Sequence, residues 1–131
     1  MTKQKIHKLS GNLRVASDKS QSHRSLILSA LATGKSEISN LLESDDVLNT
    51  VNVLKDLGVE IIKKNKKWIV YGNGVNGFIE SKKALYCGNS GTTARLMLGA
   101  VSTNPITCTF TGDSSLSNRE MLRVTNYLEK I

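Results

Sequence analysis

A group of basic residues lies where one predicted helix begins. The segment 18–24 reads DKSQSHR and leads directly into the apolar run 26–31. The first N–H groups of a helix are electropositive, so the cations Lys19 and Arg24 are unfavourable there by roughly 0.3–1 kcal/mol each. A bound phosphate would offset that cost, because helix N-termini bind anions through the same N–H groups. The spacing therefore predicts an anion site at this helix start.

Two further segments also place a basic residue at a predicted helix start, although the pattern is weaker there. The segment 88–93, GNSGTT, opens a predicted helix with Arg95 in its first turn, and Arg119 opens the last predicted helix. The helix that begins at 44–46 with SDD has an ordinary acidic start, so we expect it to be structural. Each arginine alone could be a solvated side chain, and a Gly-Asn-Ser-Gly run is commonly a turn. Three basic helix starts in one short chain favour anion binding.

The composition suits a single globular domain with anionic partners. The 131 residues are 39% hydrophobic and only 5% aromatic, so the core must consist of Leu, Ile, Val and Ala, and the net charge is +7. Such a charge fits nucleic acid, a membrane surface or phosphorylated small molecules. The lysines of 63–67 form a predicted hairpin tip, and only Trp68 lies nearby. Nucleic-acid binding is disfavoured, because base stacking needs several aromatic rings among the basic residues.

The two cysteines point away from a metal or a disulfide. Cys87 and Cys108 lack the spacing of metal ligands, and His23 has no companion ligand in the sequence. No secretory signal or membrane-spanning apolar stretch is present, so we expect reduced thiols, a cytoplasmic protein, no membrane and no metal site.

The elements that must position these segments alternate between strands and helices. Ser20 or Ser22 is expected to cap the first helix, and Gly34 to end it. Residues 1–10 are expected to form an arm or an edge strand. The predicted order is strand 12–16, helix 21–33, strand 36–42, helix 44–57, hairpin 59–63 with 67–71, strand-like pieces in 78–87, a helix opened by 88–92, strand 106–110, and a last helix with Met121, Val124, Leu128 and Ile131 on one face.

This order contains an internal repeat. Unit one, about 11–72, reads strand, helix, strand, helix, hairpin; unit two, about 77–131, repeats the pattern without the hairpin. The pattern predicts an α/β fold that is cut in mid-architecture. The alternative is that unit two differs at its end.

Three motifs carry a resemblance to a known family. DKSQSHR at 18–24, GNSGT at 88–92 and GDSSLSNREM at 112–121 resemble, in order and spacing, the N-terminal part of the 5-enolpyruvylshikimate-3-phosphate synthases. The segment NLLESDD at 40–46 matches too. The resemblance implies βαβαββ units of an inside-out α/β barrel, with three units in each of two domains. Residues 1–131 would then form a partial N-terminal domain with about two of its three units.

The resemblance also implies a reaction and a set of site residues. Members transfer the enolpyruvyl group of phosphoenolpyruvate to shikimate 3-phosphate, a transferase step of the shikimate pathway to chorismate and the aromatic amino acids, without a cofactor. Lys19 would touch both substrates. Shikimate 3-phosphate would be bound by Lys19, Ser20 and Arg24; phosphoenolpyruvate by Lys19, Asn89, Gly91, Thr92 and Arg119; Arg95 would support the loop.

Some features depart from the family. The pair 16–17 is Ala-Ser where members have Pro-Gly, and Glu120 replaces a proline after Arg119. In the family the second domain brings the acidic proton-transfer group, so Lys19 contributes to catalysis but no residue here is assigned as the catalyst. We therefore expect substrate binding without turnover.

Other origins and partners stay open. The chain could be an inactive remnant or a split-gene fragment, completed by a missing C-terminal half or by self-association. A weaker alternative is nonspecific nucleic-acid binding with a steep dependence on salt.

Overall fold

The computed structural model describes residues 10–130, so the expectation for 1–10 falls almost wholly outside the described residues, as does Ile131. Helices and strands alternate as predicted, which confirms the α/β class. The elements are α1 Lys19–Leu31, β1 Thr33–Ser39, α2 Asp45–Asp56, β2 Glu60–Lys64, β3 Lys67–Asn73, β4 Leu85–Tyr86, α3 Gly91–Val101, β5 Phe110–Thr111, α4 Ser114–Ser117 and α5 Leu122–Leu128.

The strands of residues 10–130 form two open sheets rather than a closed barrel. The first is antiparallel with the order β1-β3-β2. Its predicted hairpin is confirmed, with Lys64 paired to Lys67. Asn65 and Lys66 both have positive φ, 51° and 61°, as a two-residue turn requires if it is to follow the twist of the strands. In the second sheet β4 and β5 are parallel, and α3 connects them.

The core lies among the first three helices and the first sheet. Helix α2 has a buried apolar stripe, in which Val47, Val51 and Leu54 are spaced three or four residues apart. In α3, Met97 is buried, whereas Leu96 is 38% exposed. Packing of α1 and α2 against these apolar surfaces fixes the relative positions of the helix starts, which hold the candidate site.

Several local predictions are wrong. No strand forms at 12–16; Leu13 is 89% exposed, since alternation alone supplies no partner strand. Helix α1 ends at Leu31, before Gly34. The strand expected at 106–110 is reduced to Phe110–Thr111. The last helix, α5, begins at Leu122 instead of at Arg119 and buries no side chain fully. A short additional helix, α4, lies before it.

Candidate functional site

Three helix starts meet at one end of the molecule. Lys19 in the first turn of α1 forms an ion pair with Asp46 in the first turn of α2. The Thr93 hydroxyl, two residues into α3, donates to the Asp46 carbonyl oxygen at 3.2 Å. The first turn of α2 therefore lies between those of α1 and α3. Folding thus brings together two segments, 18–24 and 88–93, that are far apart in the sequence.

The start of α1 is capped by Asp18 and not, as predicted, by a serine. Its Oδ1 accepts a hydrogen bond from the Gln21 N–H at 2.6 Å. The buried Ser22 hydroxyl donates to the Asp18 carbonyl oxygen at 2.7 Å and accepts from the Leu42 N–H at 2.9 Å. Ser22 thus holds segment 40–42 against α1. Ser20 is left exposed and uncommitted in the first turn.

The charge of Lys19 is partly balanced within the chain. Its side chain is 50% exposed and that of Asp46 is 25% exposed, so the pair contributes about 0–1 kcal/mol of stability. The acidic start of α2 therefore also supplies the partner of Lys19. Arg24, the other cation of this segment, lies exposed one turn further along α1.

The start of α3 is held by Ser90 and by contacts with the segment that follows β5. The Ser90 hydroxyl caps the helix by accepting from the Thr93 N–H at 3.1 Å. Gly88 has a φ of +59°, and its carbonyl oxygen accepts from the Asp113 N–H at 2.9 Å. Asn89 and Thr92 remain exposed on either side of the cap. This backbone bond joins the second and third sequence motifs.

Two arginines flank Gly91, the first residue of α3. A Cβ atom placed on Gly91 would lie 2.9 Å from Arg95 Nη1 and 3.2 Å from Arg119 Nη1. Contrary to the prediction, Arg119 does not open a helix. It lies between α4 and α5 and reaches back to α3. The absence of a side chain on Gly91 lets both guanidinium groups approach the electropositive end of the helix.

The hydrogen-bond partners of these arginines are uncharged. Arg119 Nη2 donates to Asn89 Oδ1 and, at 3.2 Å, to the Ser115 hydroxyl. Arg95 Nη2 donates to the Glu120 carbonyl oxygen at 3.0 Å. None of the ion pairs within residues 10–130 includes Arg95, Arg119 or Glu120. The start of α3 therefore combines two positive side chains with the positive end of a helix dipole.

A buried polar chain connects the same three helices. His23 Nδ1 is 2.7 Å from the Thr50 hydroxyl, which is 2.8 Å from the Thr93 hydroxyl, which is 2.7 Å from the Ser90 hydroxyl. Burial and the charge of Lys19 lower the pKa of His23, and Asp46 opposes this shift. Sequence reasoning missed the chain, although Thr50 stands within the apolar stripe of α2, where a buried hydroxyl needs a partner.

Predicted substrate-binding residues such as Lys19, Ser20 and Thr92 lie on exposed surface. A cavity of about 220 Å³ beside α1 is lined by Asp18 and Ser22 but not by Lys19. A second, of about 190 Å³, lies beside Arg119 and is lined mainly by apolar side chains. Lys19 and Thr92 line neither of these cavities. A ligand here would therefore be contacted from one side.

The lysine-rich hairpin is engaged with acidic side chains. Lys63 pairs with Glu43 at 2.6 Å and Lys67 with Glu37 at 3.0 Å. Lys35 and Lys67 lower the pKa of Glu37 to about 2. The Trp68 ring is buried and donates its N–H to Glu43 at 3.1 Å. It is not available for base stacking, which argues further against a nucleic-acid surface.

The two cysteines are not activated as nucleophiles. Burial raises the pKa of Cys87 to about 11 and raises that of Cys108, with a contribution from Glu80; protonated thiols are poor nucleophiles. Across residues 10–130, no three His, Cys, Asp or Glu side chains are grouped closely enough to hold a metal ion. No helix in this part of the chain has the length and apolar character needed to cross a membrane.

Comparison with known proteins gives one consistent family. A family model for EPSP synthase (3-phosphoshikimate 1-carboxyvinyltransferase) matches residues 3–131. The 3-phosphoshikimate 1-carboxyvinyltransferase of a Ruegeria species is 50% identical over 98% of this chain and 29% of its own length. That of a Bradyrhizobium species is 50% identical over 94% of this chain and 28% of its own. The chain thus spans less than a third of these relatives.

The structural comparison agrees with the sequence comparison. The EPSP synthase from Acinetobacter baumannii superposes with a TM-score of 0.85 at 40% identity, over 92% of this chain and 28% of that one. An identity and a TM-score this high show that the two chains share an α/β fold over the matched part.

Proposed function

The chain belongs to the EPSP synthase family, and we propose that its clustered helix starts bind shikimate 3-phosphate and phosphoenolpyruvate, the two anionic substrates of enolpyruvyl transfer. The observation that carries this proposal is that Arg95 and Arg119 flank Gly91 and have only uncharged partners among residues 10–130. Two unneutralised cations at a helix N-terminus form an arrangement suited to a phosphate or carboxylate.

Phosphoenolpyruvate is assigned to the start of α3. Arg119 would bind its anionic groups in a forked geometry, and Arg95 would support this position while anchored to the Glu120 carbonyl oxygen. The exposed Asn89 and Thr92 would supply polar contacts beside the backbone of Gly91. The small size of Gly91 supports this assignment, because any side chain there would displace both guanidinium groups.

Shikimate 3-phosphate is assigned to the start of α1. Lys19, Ser20 and Arg24 are all exposed within the first two turns, so their polar groups can reach one ligand. The ion pair with Asp46 places Lys19 towards α2 and α3. This position supports a role for Lys19 in contacting both substrates.

The proposed chemistry needs cations more than it needs a cofactor. Protonation of the enol carbon makes a cation-like centre, the substrate hydroxyl attacks it, and the tetrahedral intermediate then loses phosphate. Lysine and arginine would stabilise the negative charge that is redistributed in these steps. No electron transfer is involved, so we propose no redox cofactor, and such soluble metabolites would place the reaction in the cytoplasm.

Proton transfer is not assigned to the groups around the two starts. Asp18 and Asp113 cap helices, and Asp46 pairs with Lys19. His23 is fully buried. We therefore propose that this chain binds and orients substrates, while proton transfer requires a group outside residues 10–130. The division into unit one, 11–72, and unit two, 77–131, is kept as part of this proposal, because each unit contributes one basic helix start.

The test is a two-dimensional amide NMR titration of the chain with each substrate separately. We expect phosphoenolpyruvate to shift the amides of 89–92 and shikimate 3-phosphate to shift those of 19–24. Arg119→Gln should weaken the first titration, whereas Lys64→Gln removes the same charge from the distant hairpin and should not. Shifts that are absent, or that Lys64→Gln weakens equally, would contradict the proposed sites.

A phosphate-release assay separates binding from turnover. With both substrates present, we expect the chain alone to release no phosphate above a buffer blank. Release that is abolished by Lys19→Gln would show turnover by these residues and would overturn the binding-only part of the proposal. Sedimentation of the same sample would test self-association, the remaining alternative for completing the site.

A further inference from the structure

The buried polar chain crosses three helices and ends at the cap of α3. His23 lies on α1, Thr50 on α2 and Thr93 on α3, and all three side chains have no solvent exposure. Ser90, the last member, is the residue whose hydroxyl caps α3. The buried polar chain therefore connects the helix that presents Lys19 directly to the cap that orients the N–H groups of α3.

The directions of these hydrogen bonds can be worked out from their fixed members. The Thr93 hydroxyl has one proton, which it donates to the Ser90 hydroxyl oxygen at 2.7 Å or to the Asp46 carbonyl oxygen at 3.2 Å. In either case the Thr93 oxygen accepts at 2.8 Å from the Thr50 hydroxyl. Because the Thr50 proton is used in the bond to Thr93, the Thr50 oxygen accepts from His23 Nδ1 at 2.7 Å. The hydroxyls of Thr50 and Thr93 each donate and accept one hydrogen bond in this arrangement.

The arrangement fixes the protonation of the imidazole. Nδ1 carries the proton that is donated to Thr50, and Nε2 is a bare lone pair that is buried without a hydrogen-bond partner among residues 10–130. The opposite tautomer would bury an N–H donor at Nε2 without a partner, and orphaned buried N–H groups are rare in proteins. The cation would carry the same orphaned N–H together with a buried charge.

We propose that His23, as the Nδ1–H tautomer, is a positioning residue that couples the anion-binding start of α1 to that of α3 through Thr50, Thr93 and Ser90. A shift of α1 on binding an anion moves the His23 donor, and the hydroxyls pass this change to the cap of α3. The coupling rests on the proposed function only in taking the two starts to be substrate sites; the hydrogen-bond chain itself stands without any ligand.

The first test needs no ligand. Long-range ¹H–¹⁵N spectra of the whole chain should show His23 Nε2 as unprotonated and Nδ1 as protonated. Thr50→Val removes the acceptor, and the Thr93 amide should then exchange with solvent about fivefold faster, the factor that one net hydrogen bond represents. Val51→Ala is the matched control, because it reduces apolar packing at the next buried position of α2 and leaves the hydrogen bonds of the polar chain in place.

Two substitutions of the imidazole separate positioning from packing. His23→Asn keeps an N–H donor near Thr50 and should leave exchange at Thr93 close to that of the unsubstituted chain. His23→Leu fills similar space without a donor and should behave like Thr50→Val. An Nε2–H tautomer in the unsubstituted chain, or equal exchange in Thr50→Val and Val51→Ala, would overturn the proposal.

A ligand experiment then tests the coupling and distinguishes it from the proposed function. Phosphoenolpyruvate is titrated with and without saturating shikimate 3-phosphate; its affinity should change in the unsubstituted chain and in Val51→Ala, but not in Thr50→Val. If neither substrate binds while the tautomer and exchange results hold, the proposed function fails and the structural link between the helices stands. If both bind and Thr50→Val keeps the change in affinity, the coupling fails and the function stands.

Discussion

The starts of α1 and α3 carry similar charges in the sequence but differ in how those charges are partnered. Neither helix has an acid in its first turn. At α1, Lys19 has the carboxylate of Asp46 as its partner. At α3, Arg95 and Arg119 bond only to carbonyl, amide and hydroxyl oxygens. The charge at α3 is thus left available, whereas that at α1 is partly neutralised.

This difference reverses the ranking suggested by the sequence. The segment 18–24 has the denser cluster of basic residues and is the stronger motif, yet its lysine already contacts a carboxylate. Arg119 belongs to one of the two weaker basic starts, and folding brings it to the start of α3. We infer that an anion added to the chain is attracted more strongly to α3 than to α1. The predictions that follow test this contrast.

Arg119→Gln should have the largest effect, because it removes a charged donor beside Gly91. A hydrogen bond to a charged group contributes about 1.5–3 kcal/mol, so the affinity for inorganic phosphate at α3 should fall about tenfold to a hundredfold. The measurement is the shift of the Gly91 and Thr92 amides on titration. An unchanged affinity would remove the distinction between the two starts.

Gly91→Ala should weaken the α3 site less. The new Cβ would lie 2.9 Å from Arg95 Nη1 and 3.2 Å from Arg119 Nη1; these are the ends of flexible side chains, so the chain should fold with both guanidinium groups displaced. We expect about a fivefold loss of phosphate affinity, equivalent to about 1 kcal/mol.

Gly99→Ala is the control for this substitution on the same helix. Apart from the chain neighbours of Gly99 and the backbone of its own helix, no atom of residues 10–130 lies within 4 Å of a Cβ placed there. Alanine should therefore leave the phosphate affinity unchanged and raise the unfolding free energy by about 0.5–1 kcal/mol. Equal losses of affinity in the two alanine variants would mean that the guanidinium positions near Gly91 do not determine binding.

Asp46→Asn should make the α1 start resemble that of α3. Without the carboxylate, Lys19 is released, and the affinity for phosphate at α1 should rise about two- to fivefold, because an exposed ion pair is worth about 1 kcal/mol or less. The affinity at α3 should stay the same. A fall in affinity at α1 would show that Asp46 positions Lys19 for binding instead of competing with the ligand.

Of these changes, acidification to just below neutral pH should have the smallest effect. The pKa of His23 is lowered by burial and by Lys19 on α1, while Asp46 on α2 opposes the shift; Thr93 on α3 is uncharged. Below the unfolded pKa of about 6.5, the unfolded chain binds more protons than the folded chain, so the unfolding free energy decreases as pH falls, by at most about 1.4 kcal/mol per pH unit.

Chemical denaturation at pH 7 and at successively lower pH measures this slope. His23→Asn should remove the part of it that His23 contributes, since asparagine does not titrate. If the unsubstituted protein and His23→Asn lose stability equally on acidification, His23 is not buried as a neutral group. The proposed link between the starts of α1 and α3 would then lose its basis.

The sequence by itself determined those features that depend on local chemistry. The apolar stripe of α2 and the hairpin at 65–66 follow from spacing and turn residues, because side-chain period and backbone preference act over a few positions. The three motifs likewise identified the family. Asp18, two residues before Ser20, was overlooked as the cap. Sequence alone does not show which of several suitable residues comes before the first helical turn.

Only the tertiary structure decided which charges are partnered and which are not. The bond between Lys19 and Asp46, the reach of Arg119 to Asn89, and the chain from His23 to Thr93 all join residues distant in sequence. Such contacts depend on how α1, α2 and α3 pack, and packing is set by the buried surfaces of the whole domain. A charge pattern can therefore predict an anion site, but the strength of that site depends on partners that only folding provides.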